Sequence, residues 1–247
     1  MARGKYLLIS VLIFFAILSL IYFISMPDVL RLKKENPRHT AFMKYREKEY
    51  EGKGKRLRID QRWVPLSKIS PYLIKAVLIA EDDKFWRHEG FDYEAIQKAI
   101  RKDAEALRFK FGGSTISQQL ARNLYLSPAK NPLRKIAEAI ITWRMESVLS
   151  KRRILELYLN VVEWGEGIFG IETASIHYFE KPSSELTPIE AARLAAVLPN
   201  PRKYNPVKDQ RYVVTRSDLI YNIMVGRGIV IPEYKEVTEE GETAPEI

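Results

Sequence analysis

The pattern of hydrophobic and polar positions opens with one long apolar run. Residues 6–25 read YLLISVLIFFAILSLIYFIS, twenty positions without a charge. That length matches the ~20 residues that cross the hydrocarbon core of a bilayer and exceeds the ~7–15 apolar residues of a cleaved signal peptide. The run ends in Ser25-Met26-Pro27-Asp28, a poor cleavage site. We therefore predict an uncleaved transmembrane anchor, with a buried helix of a soluble domain as the alternative. Basic residues flank both ends, so the positive-inside rule does not orient the anchor.

Helical patterns dominate the rest of the chain. Residues 26–58 are polar and basic without a sustained apolar period, and we interpret them as a juxtamembrane linker. Beyond them, apolar residues recur at helical spacing in several segments, and no convincing strand alternation occurs. The helices are expected to start at Ser70-Pro71, Asp92, Pro132 and Thr187-Pro188, and the first, third and fourth to reach Ala80, Leu149 and Leu198. The predicted fold class is all-α, with short irregular or extended pieces.

Composition excludes several kinds of chemistry. The 247 residues, 46% of them hydrophobic, can build a core for one or two domains. The absence of cysteine excludes disulfides, thiolate metal sites and a cysteine nucleophile. The three histidines are scattered singly, which disfavours a histidine-rich metal site.

Charge is concentrated in one segment. Between Lys98 and Arg153 there are thirteen basic and four acidic residues, and the difference equals the whole formal net charge of +9. Such a segment is usually a solvated helix surface, but it can also bind nucleic acid, anionic lipid or a phosphorylated substrate. Residues 232–247 hold six glutamates against one lysine, and we interpret them as a frayed acidic tail.

Five motifs follow one another along the helical region. They are Glu81-Asp82-x-x-Phe85-x-x-His88-x-Gly90, Gly112-Gly113-Ser114-Thr115-Ile116-Ser117-Gln118-Gln119, Arg134-Lys135-x-x-Glu138, Lys151-x-x-Ile154-Leu155-Glu156-x-Tyr158-Leu159-Asn160, and an alanine-rich run from Ala191 to Pro206. Together they resemble the motifs of the peptidoglycan glycosyltransferases that polymerise lipid II, glycosyltransferase family 51, whose domain also occurs in class A penicillin-binding proteins. The resemblance covers about Val64 to Met224.

The resemblance implies an architecture and a location. Members of the family have a lysozyme-like α-helical fold with a larger lobe and a small membrane-proximal lobe. Because the sequence ends soon after the domain, we expect the monofunctional biosynthetic form. The resemblance places the amino terminus in the cytoplasm and the catalytic domain on the periplasmic or outer face of the bacterial inner membrane. The expected division is an anchor at 1–25, a linker at 26–58, the glycosyltransferase domain at 59–231 and the tail at 232–247.

The implied reaction is inverting glycosyl transfer, which forms β-1,4-linked glycan and releases undecaprenyl diphosphate. It needs a base for a sugar 4-hydroxyl, and by resemblance Glu81 is that base. A carboxylate at a helix end facing a cleft suits this role if its surroundings raise its pKa. Glu138 is the second catalytic carboxylate by resemblance and supports the diphosphate through a metal ion or a basic neighbour. As a helix residue it can also pair with Arg134, and the two interpretations are compatible.

The remaining site residues are also implied by resemblance. Arg122 and Arg134 are candidates for phosphate contacts, since guanidinium groups bind phosphate oxygens bidentately, although relatives commonly carry lysine at the position of Arg122. The other substrate-binding candidates are Asp82, Phe85, His88, Gly113, Ser114, Thr115, Gln118, Gln119, Asn123, Lys135 and Lys151. We interpret Tyr158 as mostly structural. A divalent cation, Mg²⁺ or Mn²⁺, is expected without an identified site.

The expected partners are lipid II, the growing undecaprenyl-diphosphate glycan, the membrane, and proteins of cell-wall synthesis or division; nucleic acid is not expected. Two other classes of function remain open. A lysozyme-like fold with a cleft glutamate can hydrolyse glycan. A membrane-tethered module can bind nucleic acid or anionic lipid through Lys98–Arg153. Lengthening of lipid II distinguishes the polymerase from the hydrolase, and salt-dependent binding without turnover identifies the module.

Overall fold

The computed structural model describes residues 27–97, 113–128 and 132–231, together with Ile13 and Arg101. The predicted anchor at 6–25 lies, apart from Ile13, outside the described residues, and so does the acidic tail at 232–247. Within the described ranges, no helix combines the length and the apolar character that a membrane crossing requires.

The described chain is mostly helical, as predicted. Its α-helices are α1 (Ala41–Glu51), α2 (Pro71–Glu81), α3 (Ile116–Tyr125), α4 (Pro132–Val148), α5 (Lys151–Val161), α6 (Ile171–Phe179), α7 (Pro188–Val197) and α8 (Arg211–Gly226). Residues 93–97 are also helical, and single 3₁₀ turns occur at Leu30–Lys33, Leu66–Lys68 and Ser183–Glu185. The predicted helix starts at Pro71, Pro132 and Pro188 are confirmed.

The predicted helix caps have mixed outcomes. Asp92 Oδ1 accepts a hydrogen bond from Ala95 N at 2.9 Å, so this cap is confirmed. The capping box of Thr187 at the start of α7 is confirmed as well. Ser70 is the N-cap residue of α2, as predicted, but its side chain makes no cap hydrogen bond, because its hydroxyl donates instead to the Leu186 carbonyl oxygen at 2.9 Å. The tertiary contact turns the hydroxyl toward Leu186, so that its oxygen accepts no hydrogen bond from the first turn of α2.

A small sheet corrects the expectation that no strands form. β1 (Asp60–Gln61), β2 (Glu163–Gly165) and β3 (Ile168–Phe169) form a sheet in the order β1-β3-β2. β1 runs parallel to β3, and β2 runs antiparallel to it. The strands have only two or three residues, and every residue of β2 and β3 is buried. Neither strand therefore shows the alternation of polar and apolar positions that predicts a half-buried strand.

The segment interpreted as a linker contains a helix that packs on the domain. Thr40 caps α1 by accepting from Met43 N. Met43 is fully buried, and Arg46 binds the carboxylate of Glu163 through two nitrogens at 3.0 and 2.8 Å. The burial of Met43 and the ion pair between Arg46 and Glu163 thus hold residues 40–51 on the domain. The single buried methionine of α1 explains why the sequence shows no sustained apolar period there.

Two groups of helices surround the core. In one, α2 packs on α7, and both contact α8; in the other, α3 packs on α4 and α5. The largest fully buried side chains include Trp164, Tyr158, Phe85 and Phe169. The end of α2 lies beside α3, so the two groups meet at Glu81, where the candidate site lies.

Several apolar side chains of helix α4 are exposed to solvent. Leu133, Ile136 and Trp143 are 71%, 56% and 60% exposed. The opposite face is buried through Glu138, Thr142 and Met145. The periodicity thus predicts the helix, but part of its apolar pattern lies on the exposed face.

Candidate active site

A cavity of about 240 Å³ opens at the carboxyl end of α2. Glu81 and Asp82 line one side of it, and Gly113, Ser114 and Thr115, which precede α3, line another. The first two sequence motifs therefore meet in space, although they are separated by the residues between Gly90 and Gly113. Other lining residues include Lys84 and Asp92.

Glu81 is the last residue of α2 and is held by an amide of α3. Gln119 Nε2 donates to Glu81 Oε2 at 2.7 Å. Burial raises the pKa of Glu81, and the nearby Asp82 charge adds to this rise. The hydrogen bond from Gln119 lowers the pKa but does not cancel the effect of burial. The result is a carboxylate with more basic character than an ordinary glutamate at the wall of a cavity.

Asp82 joins the same motif to the start of α3. Its Oδ2 accepts from Ile116 N at 2.9 Å, and its Oδ1 lies 2.9 Å from His88 Nε2. Gly90 N donates to His88 Nδ1 at 3.1 Å. Because Nδ1 accepts, Nε2 carries the hydrogen and donates to Asp82. Asp82 and His88 therefore form a hydrogen-bonded support for the loop after Glu81.

Thr115 links this loop to the first turn of α3. Its hydroxyl donates to the Gly90 carbonyl oxygen at 2.6 Å and accepts from Gln118 N at 3.3 Å, while Gln118 Oε1 accepts from Thr115 N at 3.0 Å. This is a capping box. Gly90 has a φ of +90°, and an added Cβ would lie 2.9 Å from Thr142 Cγ2, so a larger residue would be strained here.

Glu138 lies on the buried face of α4 and forms ion pairs with two basic side chains. Its side chain is 0% exposed. Arg134 Nη1 donates to its Oε2 at 2.7 Å, and Lys135 Nζ donates to its Oε1. Lys135 Nζ also lies 3.2 Å from Ser114 Oγ. The third motif thus reaches the cavity through Lys135 and Ser114, and the pair of Glu138 with Arg134 that the sequence left open is present.

Comparison with known proteins decides the family. The sequence profile of the family described as Transglycosylase matches residues 51–225. The chain belongs to the transglycosylase family.

Three relatives carry the name biosynthetic peptidoglycan transglycosylase. The protein from Aromatoleum aromaticum is 54% identical over 169 residues, which cover 68% of this chain and 74% of the relative. The protein from Nitrosospira multiformis is 43% identical over 218 residues, 88% of this chain and 95% of the relative. The protein from Neisseria gonorrhoeae is 44% identical over 197 residues, 80% of this chain and 84% of the relative. This chain is accordingly a glycosyltransferase of peptidoglycan synthesis, and it acts in the cell envelope.

Some predicted site residues of this transglycosylase lie behind the cavity wall. Phe85 is fully buried, and Gln118 and Asn123 are 4% and 5% exposed. Lys151 Nζ donates to Glu146 Oε1 at 2.7 Å and lies 4.6 Å from the centre of the Phe85 ring. These residues support the site from inside, since none of them lines the cavity.

Two arginines act on Glu81 electrostatically. Arg122 on α3 and Arg216 on α8 both lower the pKa of Glu81 against the larger effect of burial. Arg216 also donates to the Ala80 carbonyl oxygen at 3.0 Å, which fixes it beside the end of α2. Sequence reasoning selected Arg122 but missed Arg216. Arg216 lies beyond the last motif, and a single arginine on a helix carries no local signal of a site.

The expected divalent cation has no evident cage of side chains. Within the described ranges, no group of three or more histidine, aspartate or glutamate side chains is placed to hold a metal ion. Both oxygens of Asp82 and both oxygens of Glu138 are already hydrogen-bonded. The described side chains thus do not fit a resident metal ion, and the cation stays a prediction.

Proposed function

We propose that this transglycosylase polymerises lipid II into β-1,4-linked glycan and releases undecaprenyl diphosphate, with Glu81 as the base. The observation that carries the proposal is a half-buried carboxylate with a raised pKa at the wall of the cavity, held by Gln119. A base is most effective when its pKa lies near the working pH. Burial raises the pKa of the Glu81 carboxyl above the ordinary value of glutamate and so makes it a better base.

The proposed reaction starts from a glycan carried on undecaprenyl diphosphate and from a lipid II acceptor. Glu81 takes the proton of the acceptor 4-hydroxyl as its oxygen attacks the anomeric carbon of the donor. The new glycosidic bond forms while the bond between that carbon and the diphosphate oxygen breaks. The diphosphate leaves with the bonding electron pair, and because the hydroxyl attacks from the opposite face, the configuration at the anomeric carbon inverts.

The leaving diphosphate gains negative charge and needs cations. We propose that Arg122, Arg134 and Lys135 supply them, because guanidinium and ammonium groups stabilise phosphate oxygens. Glu138 is 0% exposed and holds Arg134 and Lys135 at 2.7 Å or less. Its proposed role is therefore to position these cations, and Ser114 extends the group to the cavity.

We also propose that the enzyme works at the outer face of the inner membrane, anchored by residues 6–25. Both substrates are lipid-linked, so a shared surface confines enzyme and substrate to two dimensions. The exposed apolar stripe of α4, which we define as Leu133, Ile136 and Trp143, supports a second contact with lipid. The lysozyme-like division into a larger lobe and a membrane-proximal lobe belongs to this proposal, as do partners in cell-wall synthesis or division.

The test is polymerisation of purified lipid II by the full-length protein in detergent, with the products resolved by size. Glu81→Gln should lower the rate at least a hundredfold, in line with the loss of a general base. Glu163→Gln is the matched control, because burial also raises the pKa of Glu163, which binds Arg46 away from the cavity. We expect the control to make the ladder of products that the parent makes.

Two results would contradict the proposal. A Glu81→Gln variant that polymerises at the rate of the parent would exclude Glu81 as the base. Release of soluble fragments from finished glycan by the parent, without lengthening of lipid II, would instead favour a hydrolase.

A further inference from the structure

Tyr158 is a fully buried tyrosine whose hydroxyl contacts the residue that binds Glu81. Its side chain lies in α5 and is 0% exposed. The Tyr158 hydroxyl donates to Gln119 Oε1 at 3.1 Å, and Gln119 Nε2 donates to Glu81 Oε2 at 2.7 Å. The two hydrogen bonds connect α5, α3 and α2. They end on a carboxylate oxygen at the wall of the cavity.

The two ends of an amide are not interchangeable in this position. The Gln119 side chain has one carbonyl oxygen that accepts and one NH₂ group that donates. Only the orientation with Nε2 toward Glu81 gives the carboxylate a hydrogen bond. The reverse orientation places two oxygen atoms against each other and leaves the Tyr158 hydroxyl hydrogen without the acceptor that it has now. A buried donor without a partner is disfavoured, so the hydroxyl selects one orientation of the amide.

We propose that Tyr158 is a positioning residue for the base: its hydroxyl holds the Gln119 amide in the orientation that donates to Glu81. The inference rests on the proposed role of Glu81 in the reaction. Tyr158 does not line the cavity and acts only through Gln119. The bulk of its ring belongs to the core, whereas its hydroxyl serves the site.

The ring and the hydroxyl can be separated experimentally by Tyr158→Phe, which keeps the buried volume. With the amide free to turn, we expect kcat for lipid II polymerisation to fall about tenfold and KM to change by less than twofold. The matched control is Tyr178→Phe, because Tyr178 is a partly buried tyrosine of the same core, and its hydroxyl donates to the Trp164 carbonyl oxygen at 3.3 Å. The control should keep the kcat of the parent.

A pH profile adds a measurement that a purely structural role would leave unchanged. The hydrogen bond from Gln119 lowers the pKa of Glu81, so its loss raises that pKa further. The acidic limb of kcat/KM should therefore move to higher pH in Tyr158→Phe. The charged groups that face Glu81, namely Arg122 on α3, Arg216 on α8 and the adjacent Asp82, are the same in both proteins.

A double-mutant cycle with Gln119→Ala then tests whether Tyr158 acts through Gln119. If it does, the double variant loses no more kcat than Gln119→Ala alone. Losses that multiply, or a Tyr158→Phe variant with the kcat and acidic limb of the parent, would overturn the inference. If Tyr158→Phe does not fold, Gln119→Leu decides: the kcat of the parent in that variant overturns the inference, and a comparable loss with an upward shift of the acidic limb supports it.

Glu81→Gln in the same assay separates this inference from the proposed function. If Glu81→Gln polymerises normally, the proposed base is wrong and the inference fails with it. If Glu81→Gln is inactive and Tyr158→Phe is fully active, the proposed base stands and only the positioning role of Tyr158 is wrong.

Discussion

At the scale of single residues, Glu81 combines function with a cost in stability. A carboxylate with a raised pKa binds its proton more tightly in the folded chain than in the unfolded chain. Stability therefore falls as the pH rises from the ordinary pKa of glutamate through the raised value, and the cost is largest above that value. Above that value the fold carries a half-buried, partly compensated charge at this position.

The first stability prediction follows from this cost. Glu81→Gln keeps an oxygen that can accept from Gln119 and removes the buried charge. We expect it to raise the free energy of unfolding at pH 7.5 by about 1 kcal/mol, as other replacements of strained site residues do. Denaturant unfolding of parent and variant at pH 7.5 and pH 4 measures this, and the gain should shrink at pH 4. A variant less stable than the parent at pH 7.5 would contradict the argument.

The same residue sets the pH dependence of the reaction. The base accepts a proton only when it is ionised, so kcat/KM should fall as the pH drops through the raised pKa of Glu81. We expect the acidic limb above the ordinary glutamate pKa of 4.5. Rates measured between pH 4 and pH 9 in a constant-ionic-strength buffer test this. An acidic limb at or below 4.5 would show that another group, or an unperturbed Glu81, controls the rate.

Sequence reasoning at this scale found the residues that share a motif. Glu81, Asp82, Thr115 and Gln119 belong to the first two motifs, and they meet in the structure because the end of α2 lies beside the start of α3. Arg216 was missed because its relation to Glu81 exists only after α8 packs beside α2. Contacts between distant segments leave no trace in the local pattern.

At the scale of elements, two equivalent helix caps have different consequences. Thr115 caps α3 beside the cavity, and Thr187 caps α7 with the same capping-box geometry. Each cap satisfies backbone N–H groups that the first turn of a helix leaves without partners. In Thr115 the hydroxyl has a further partner, the Gly90 carbonyl oxygen.

This pair supplies a controlled prediction. Thr115→Ala and Thr187→Ala should each lower the free energy of unfolding by about 1 kcal/mol, the usual value of a lost N-cap. Only Thr115→Ala should also lower polymerisation, by about tenfold, because it loosens the loop that follows Glu81. Thermal unfolding and lipid II turnover of both variants measure this. Equal turnover in the two variants would show that the cap serves the fold alone.

The elements also show which structural features the sequence can predict. The capping box of α7 needs four consecutive residues and is visible in the sequence. The sheet is not, because its strands are two or three residues long and β1 pairs with β3, which lies far along the chain. The buried face of α4 was not evident either, because its core side includes Glu138 and Thr142 while apolar residues lie outside.

At the scale of the whole molecule, the apolar stripe of α4 predicts how the enzyme meets its substrate. The double variant Ile136→Ser/Trp143→Ser should polymerise lipid II in vesicles several-fold more slowly than the parent, because apolar area no longer enters the lipid surface. In detergent micelles its rate should equal that of the parent. Ile189→Ser/Leu219→Ser is the control, since these exposed apolar residues lie on α7 and α8. Equal losses in vesicles and in micelles would point to a folding defect instead of a lipid contact.

The parallel pairing of β1 with β3 has a consequence for the synthesis of the protein. Asp60 pairs with Ile168, and on the same side of the domain Asn160 Oδ1 accepts from Val64 N and Glu163 binds Arg46. The amino-terminal segment is therefore synthesised well before these partners. At ~5–20 residues per second it waits about 5–20 s for its partners to be synthesised. During this interval Arg46 of α1 lacks the carboxylate of Glu163, and β1 lacks the strand that it pairs with.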